Sequence, residues 1–434
     1  MNIIEIIPIS HPHRSSVTIP GSKSLTNRAM LISALAEGQT KITNALFSDD
    51  SRYFATALNQ LGFDMLLDDQ ENSITITGKG GIIPSENADL FIGNAGTAAR
   101  FLSAFLTLGS GEFTLDGDPR MRERPLGDLI KSLTQLGSNV KSMDYPGKTG
   151  KNDQCPPVKI ISTGLPGGET TVAGDVSSQF LSALLMVAPY AKTKVEIRVS
   201  TELNSKPYVD MTLGVMSDFG IDIERDEYRY FNIGAGRYKT SGLYNIEPDA
   251  SAASYFFAAA AILGESIRVN DINKNSRQGD IGFVEVLRKM GCSVLENEKF
   301  IEVKGPNSGQ LLGIDIDMKD IPDTAQTLAA IAPFASTPTH IHGIASARVK
   351  ESDRVSATCN ELTRMGVKVE ERLDGMSIFP CSKIQPASIE TYNDHRMAMS
   401  FALIGLRIPG VSIKNPECVA KTFPKYFQVL ESLR

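Results

Sequence analysis

The sequence predicts an α/β (α+β) protein of two similar domains, and three observations lead there. One pattern recurs: an amphipathic helix ending in a large apolar residue and Gly, then an alternating strand. Its copies end at Leu61-Gly62, Leu136-Gly137, Phe219-Gly220, Met290-Gly291 and Met365-Gly366, about 75 residues apart. A further helix, Tyr426-Phe427-Gln428-Val429-Leu430, reaches the C-terminus where the next Gly would fall. The 434 residues also exceed one ordinary core. About six copies of one α+β unit divide most simply as three plus three.

In chain order, Met1-Asn2-Ile3-Ile4-Glu5-Ile6-Ile7 carries an acid, has no basic leader and stops at Pro8, so it reads as a first strand. Pro20-Gly21-Ser22-Lys23-Ser24-Leu25-Thr26-Asn27-Arg28 then opens an apolar helix. A glycine turn feeding Ser and Lys into a helix start makes an anion site, because free N–H groups, the helix dipole and a cation point one way. Ser24 and Arg28, one turn apart, can face a common ligand. This is not a P-loop, since Ser15-Ser16 stand where its earlier glycine belongs. Gly78-Lys79-Gly80-Gly81 follows a strand and reads as a turn.

Gly93-Asn94-Ala95-Gly96-Thr97-Ala98-Ala99-Arg100 repeats the anion pattern, with Gly96 admitting a ligand to the backbone. Arg120, Arg122 and Arg124 follow in one turn. They fit either bidentate anion binding or a solvated turn with internal acid pairs. Residues 148–153 read as a loop extension. Asp175-Val176-Ser177-Ser178-Gln179-Phe180 opens an apolar helix; Asp175 is the expected N-cap, ahead of Ser177, with Ser178 and Gln179 facing a ligand. Ser205-Lys206-Pro207-Tyr208 precedes another helix.

In the second half, Asp323 with Gln326 fits a capping box or a proton-transfer acid. Lys350 and Arg354 share a face at i, i+4 with Glu351 beside them, which also fits an exposed helix start with a surface ion pair. Asp394 is the expected cap of the helix that starts with His395-Arg396. Cations in a first turn oppose the dipole unless an anion offsets them. That breach of a local rule, repeated along the chain, points to function.

Net charge −6 favours neither nucleic acid nor an anionic membrane. Apolar stretches such as 252–263 fall short of the ~20 residues of a membrane span. Five scattered cysteines without a C-x-x-C pair argue for reduced thiols in a cytoplasm. His340 and His342 alternate on one strand with no acid or thiol close in sequence, so no metal site is expected.

Taken together and in order, several segments resemble the signatures of the 5-enolpyruvylshikimate-3-phosphate synthase family of enolpyruvyl transferases. They are Pro20-Gly21-Ser22-Lys23-Ser24, Asn94-Ala95-Gly96-Thr97, residues 120–125, Val176-Ser177-Ser178-Gln179-Phe180, residues 249–255, Ser276-Arg277-Gln278-Gly279-Asp280, residues 392–399 and Ala420-Lys421-Thr422-Phe423-Pro424. The likeness spans nearly the whole chain. It implies two domains, each of three βαβαββ units in an inside-out α/β barrel, with the active site in the cleft between them. One domain would join residues 1–20 to 247–434, and the other would cover 21–246.

The resemblance implies transfer of the enolpyruvyl group of phosphoenolpyruvate to the 5-hydroxyl of shikimate 3-phosphate through a tetrahedral intermediate, releasing phosphate. This is a step of the shikimate pathway to chorismate and the aromatic amino acids, and the target of glyphosate. It implies no cofactor or metal, no nucleic-acid or membrane partner, and a cytoplasmic monomer. By position, Lys23, Ser24, Arg28, Ser177, Ser178 and Gln179 would hold shikimate 3-phosphate, joined by Ser205, Asp323 and Lys350. Lys23, Asn94, Gly96, Arg124 and Gln179 would meet phosphoenolpyruvate, joined by Arg354, Arg396 and Lys421. Asp323 would take the hydroxyl proton, Glu351 would shuttle the methyl proton with His395 in support, and Lys23 would lie where both substrates meet.

The family match has departures: Ser346 stands where well-studied members carry Asn, and Phe101 replaces a usual proline. The related UDP-N-acetylglucosamine enolpyruvyl transferases use a cysteine-bearing loop, and no cysteine lies in the matched segments. A non-catalytic anion binder would need no acids beside its cations.

Overall fold

The computed structural model describes residues 2–13, 15–145 and 154–434; the loop extension expected at 148–153 lies outside the described residues. The chain forms two compact units, one of Gly21–Ile246 and one joining Met1–Pro20 to Glu247–Arg434.

In the continuous unit three four-stranded sheets follow one plan: a parallel pair, then an antiparallel pair. Asn87–Phe91 lies parallel to Ser110–Asp116, which pairs antiparallel with Val158–Thr163, and Asn139–Ser142 takes the edge. Gly168–Val172, Val195–Val199, Tyr230–Ile233 and Glu224–Asp226 repeat the order. The remaining sheet ties the unit's two ends, because Leu243–Asn245 lies parallel to Glu37–Thr43 ahead of Ser73–Lys79 and Asp64–Asp68.

The discontinuous unit borrows from the N-terminus in the same manner. Ser16–Val17 lies parallel to Ser266–Asn270, so a strand made before the continuous unit completes a sheet made after it. A second sheet runs Asp315–Asp317, Thr339–His342, Gly375–Ile378, Val369–Arg372. The last is three-stranded, with Ile3–Glu5 antiparallel to Ser412–Lys414 and Ser388–Ile389 parallel to it. Among the described residues the sequence repeat thus corresponds to six sheets, three in each unit.

Parallel neighbours need long crossovers, and helices supply them. These helices fill the interior of each unit while one face of the sheets meets solvent. Lys23–Leu35 is buried throughout from Leu25 onward, and Ala250–Leu263 is buried from Ala250 to Ile262. A helix that is apolar nearly all round, as Ala250–Leu263 is, can be accommodated only in that way. Within the continuous unit Ser178–Val187 packs on Gly96–Phe105 and on Lys206–Asp218; in the other, Ala325–Ile331 packs on His395–Gly405. The repeated glycines 62, 137, 220, 291 and 366 have φ of +90°, +86°, +85°, +99° and +79°. Each ends its helix in the left-handed region that side chains avoid, which is why the punctuation is legible in the sequence. Among the described residues no helix is long and apolar enough to cross a membrane.

Burial of the helices has a consequence for their ends. Their polar first turns lie at the rim of a packed interior, where charged side chains are partly desolvated and electrostatic contacts gain strength.

Candidate active site

In the continuous unit four helices start without an acidic residue in the first turn: Lys23–Leu35, Gly96–Phe105, Ser178–Val187 and Lys206–Asp218. Their dipoles are not offset by a first-turn carboxylate, the side chain that favours such positions. Ser22 caps the first of them, accepting from Leu25 N–H at 3.4 Å, and Lys23 Nζ lies 3.2 Å from buried Asp50. Arg28 is 1% exposed and, among the described residues, donates to neutral oxygens: Thr212 Oγ1 at 2.7 Å, Ser24 O at 3.0 Å, Tyr208 O at 3.1 Å and Ser182 Oγ at 3.4 Å. Burial lowers its pKa to about 10. The Phe101 ring lies 5.3 Å from this guanidinium, so the residue that replaces a proline serves as packing under a buried cation.

Gly96 opens its helix with no side-chain cap. A β-carbon there would overlap the Arg124 guanidinium, which donates to Asn94 O and Asn94 Oδ1, both at 3.0 Å. The three neighbouring arginines divide by role. Arg120 pairs with Glu123 at 2.7 Å and Arg122 with Asp116 at 2.6 Å, while Arg124 turns inward and is 6% exposed. The reading of internal acid pairs thus describes Arg120 and Arg122, whereas Arg124 points to Asn94. Gln179 Nε2 donates to Thr97 Oγ1 at 3.3 Å, joining two helix starts. Ser177, not Asp175, caps the helix by accepting from Gln179 N–H at 3.3 Å; Asp175 instead accepts from Thr201 Oγ1 at 2.9 Å. Buried Ser178 follows in its first turn. Ser205 heads the last helix at φ +58°, a left-handed position that costs a serine free energy.

In the discontinuous unit the charges converge on one carboxylate. Asp323 Oδ1 accepts from Lys350 Nζ at 2.8 Å and Arg354 Nη1 at 3.1 Å, and Oδ2 accepts from Arg396 Nη2 at 2.6 Å. The helix after Asp323 has no side-chain cap bond, and the Gln326 amide does not reach back. The capping-box alternative is excluded by this geometry. Lys350 and Arg354 meet through Asp323 and not along a helix, since the helix begins at Arg354 behind its Asp353 cap. Arg354 also reaches Glu351 Oε2 at 2.7 Å and Asp394 Oδ2 at 2.8 Å. Lys421 Nζ lies 3.9 Å from Glu351 Oε1, and His395 Nδ1 is 3.7 Å from Asp394 Oδ1. Asp394 caps its helix as expected, accepting from Arg396 N–H at 2.9 Å. Ser346 lies in a short helix, Ala345–Val349, just before Lys350.

Burial on its own would raise the Asp323 pKa, but the Arg396, Lys350 and Arg354 charges outweigh it and hold it well below the ordinary carboxylate range. The same carboxylate acts on Asp280, whose pKa is pushed up to about 6 by burial first and by the Asp323 charge second. Ser251 Oγ donates to Asp280. Because the folded pKa of Asp280 is raised, its effect on stability is most favourable at acid pH and is lost as pH rises toward about 6. Asp280→Asn is therefore expected to raise the urea midpoint at pH 8 and leave it nearly unchanged at pH 4. An equal effect at both pH values would mean that Asp280 does not titrate in this interval.

Sequence reasoning missed the pairing of Lys23 with Asp50 and the contact between Arg396 Nη1 and the Tyr255 hydroxyl at 3.3 Å. Neither leaves a local signature, because the partners are far apart in the chain. Asp280 sat in a recognised segment but carried no role.

The family model for EPSP synthase (3-phosphoshikimate 1-carboxyvinyltransferase) matches residues 8–430. A 3-phosphoshikimate 1-carboxyvinyltransferase of Trichormus variabilis is 50% identical over 427 residues, covering 98% of each chain. One from Shewanella baltica is 48% identical over 423 residues, covering 97% of each. An EPSP synthase structure from Acinetobacter baumannii superposes with a TM-score of 0.80 at 26% identity, covering 99% of this chain and 97% of that one.

Proposed function

The chain belongs to the EPSP synthase (3-phosphoshikimate 1-carboxyvinyltransferase) family, and from that premise we propose how its residues carry the reaction. The enzyme transfers the enolpyruvyl group of phosphoenolpyruvate to the 5-hydroxyl of shikimate 3-phosphate and releases phosphate, in the shikimate pathway. In our reading the hydroxyl oxygen adds to C2 of phosphoenolpyruvate while C3 gains a proton. The tetrahedral intermediate then loses phosphate from C2 and a proton from the new methyl group, which restores the vinyl carbon.

Asp323 is the base at the 5-hydroxyl. The observation that carries this role is the convergence of Lys350, Arg354 and Arg396 on its two oxygens. Held by three cations, Asp323 is a weak base. Phosphate and carboxylate groups of the substrates compete for the same donors, and every donor they draw away makes Asp323 more basic. The cations then stabilise charge on the leaving phosphate. Glu351, held between Arg354 and Lys421, exchanges the methyl proton with His395 in support.

The continuous unit supplies the second set of ligands. Ser24, Arg28, Ser177, Ser178 and Ser205 hold shikimate 3-phosphate, and Asn94, Gly96 and Arg124 hold phosphoenolpyruvate. Lys23 and Gln179 serve both. Support comes from Arg28, a buried guanidinium whose hydrogen bonds among the described residues go to neutral oxygens, and from Gly96, whose missing side chain leaves room for Arg124. The reaction needs no cofactor in this reading, and the enzyme is a cytoplasmic monomer. The expected result is phosphate release that requires shikimate 3-phosphate and phosphoenolpyruvate together. Equal release with UDP-N-acetylglucosamine as acceptor would overturn the substrate assignment.

A further inference from the structure

Glu361 lies near the end of the helix Arg354–Arg364, is 1% exposed, and has no part in the mechanism above. Its carboxylate accepts from Arg364 Nη1 at 2.5 Å, from the Glu390 backbone N–H at 3.1 Å and from the Tyr392 hydroxyl at 3.1 Å. Those contacts grip a strained corner. Tyr392 and Asn393 both have φ +53°, and a bulky non-glycine residue in the left-handed region is an outlier. Two in succession persist only where the surroundings over-determine them, and such strain clusters at functional sites.

A third left-handed residue adjoins them. Asn415, at φ +47°, donates from Nδ2 to Asn393 Oδ1 at 3.1 Å, and its N–H donates to Asn2 O at 2.9 Å. Each corner leads straight into a helix that bears a cation. Directly after Asn393, Asp394 caps the helix whose second residue is Arg396. Directly after Asn415, the short helix Pro416–Lys421 ends on Lys421. Two linked, strained corners therefore lead into Arg396 and Lys421, two of the cations that the family resemblance places on phosphoenolpyruvate.

We infer that Glu361 is a positioning residue for phosphoenolpyruvate: it clamps the left-handed Tyr392-Asn393 corner so that Arg396, and through Asn415 also Lys421, meets the substrate in register. The inference rests on the reading that Arg396 binds phosphoenolpyruvate. It concerns aim and not charge, since Glu361 touches neither cation among its hydrogen bonds.

The test is steady-state kinetics with each substrate varied in turn, together with thermal midpoints. Glu361→Ala is expected to raise the KM for phosphoenolpyruvate about tenfold while the KM for shikimate 3-phosphate moves less than about twofold. Adding Tyr392→Gly should restore the phosphoenolpyruvate KM to within about threefold of the parent, because Gly holds φ > 0 without a clamp. Stability lost with the buried carboxylate need not return in that double variant. Tyr392→Phe, which deletes only the hydroxyl contact, provides a mild variant that folds and should shift the same KM in the same direction. Glu361 is merely structural if the midpoint falls while both KM values stay put or rise together, or if glycine fails to rescue. A phosphoenolpyruvate KM unchanged in Arg396→Ala would instead remove the assignment of Arg396, whatever Glu361 does.

Discussion

Asp323→Ala is expected to lower kcat by a factor of about 10² to 10⁴, the range of a lost general base. The side chain is half-buried against Lys350, Arg354 and Arg396, so the variant also leaves three cations close together without their shared acceptor. Folding and catalysis must therefore be separated. Circular dichroism and a urea midpoint report the folded fraction, and kcat is then read per folded molecule at saturating concentrations of both substrates. A fall in activity no larger than the fall in folded fraction would remove Asp323 from the chemistry. Asp323→Glu keeps the charge but lengthens the arm, and should preserve stability better than turnover. That split is what a base aligned on one hydroxyl requires, and a purely electrostatic brace would not show it.

The second large effect concerns Arg354, whose side chain donates to three acids: Asp323 at 3.1 Å, Glu351 at 2.7 Å and Asp394 at 2.8 Å. Burial lowers the Arg354 pKa and the three carboxylates more than reverse this, holding it above its ordinary value. Arg354→Met keeps most of the volume and removes the charge. It is expected to cost about 3–5 kcal/mol of stability at pH 7.5, because breaking a buried pair strands its partners.

The sign of the pH dependence distinguishes this from lost packing. In the parent the cations depress the Asp323 pKa, so its contribution is present above the ordinary carboxylate pKa and is lost as pH falls through the folded value. In the variant the stranded carboxylates accept protons more readily, and a protonated acid needs no counter-ion. The penalty should therefore shrink between pH 7.5 and pH 4. Equal urea midpoint losses at both pH values would assign the effect to shape.

The same network explains what was visible in the chain. Repeat glycines, apolar helices and polar first turns are local features: each expresses a backbone or burial demand of its own neighbourhood, and they predict two domains of three α+β units. Arginines and lysines in first turns were recognisable as breaches of the dipole preference. Their destinations were not. Arg120 and Arg122 find acids three and six residues away, whereas Arg124 goes inward to Asn94, and nothing in the run of residues separates them. Asp323 with Gln326 spelled a capping box, yet three cations from two other segments took the carboxylate first. A cap is one neutral-donor bond, and three charge-assisted bonds in a buried setting outweigh it.

What the sequence determined alone was periodic: helix and strand identity, the number of units, and which turns would carry charge, since these follow from spacing over a few residues. What only the tertiary structure decided was pairing. Lys23 with Asp50, Arg396 with Asp323 and Tyr255, and Glu361 with Tyr392 join residues separated by long stretches of chain. Such contacts form because folding brings buried charges within a few ångströms, where each must find a partner, and the choice among partners depends on distances that no local pattern encodes.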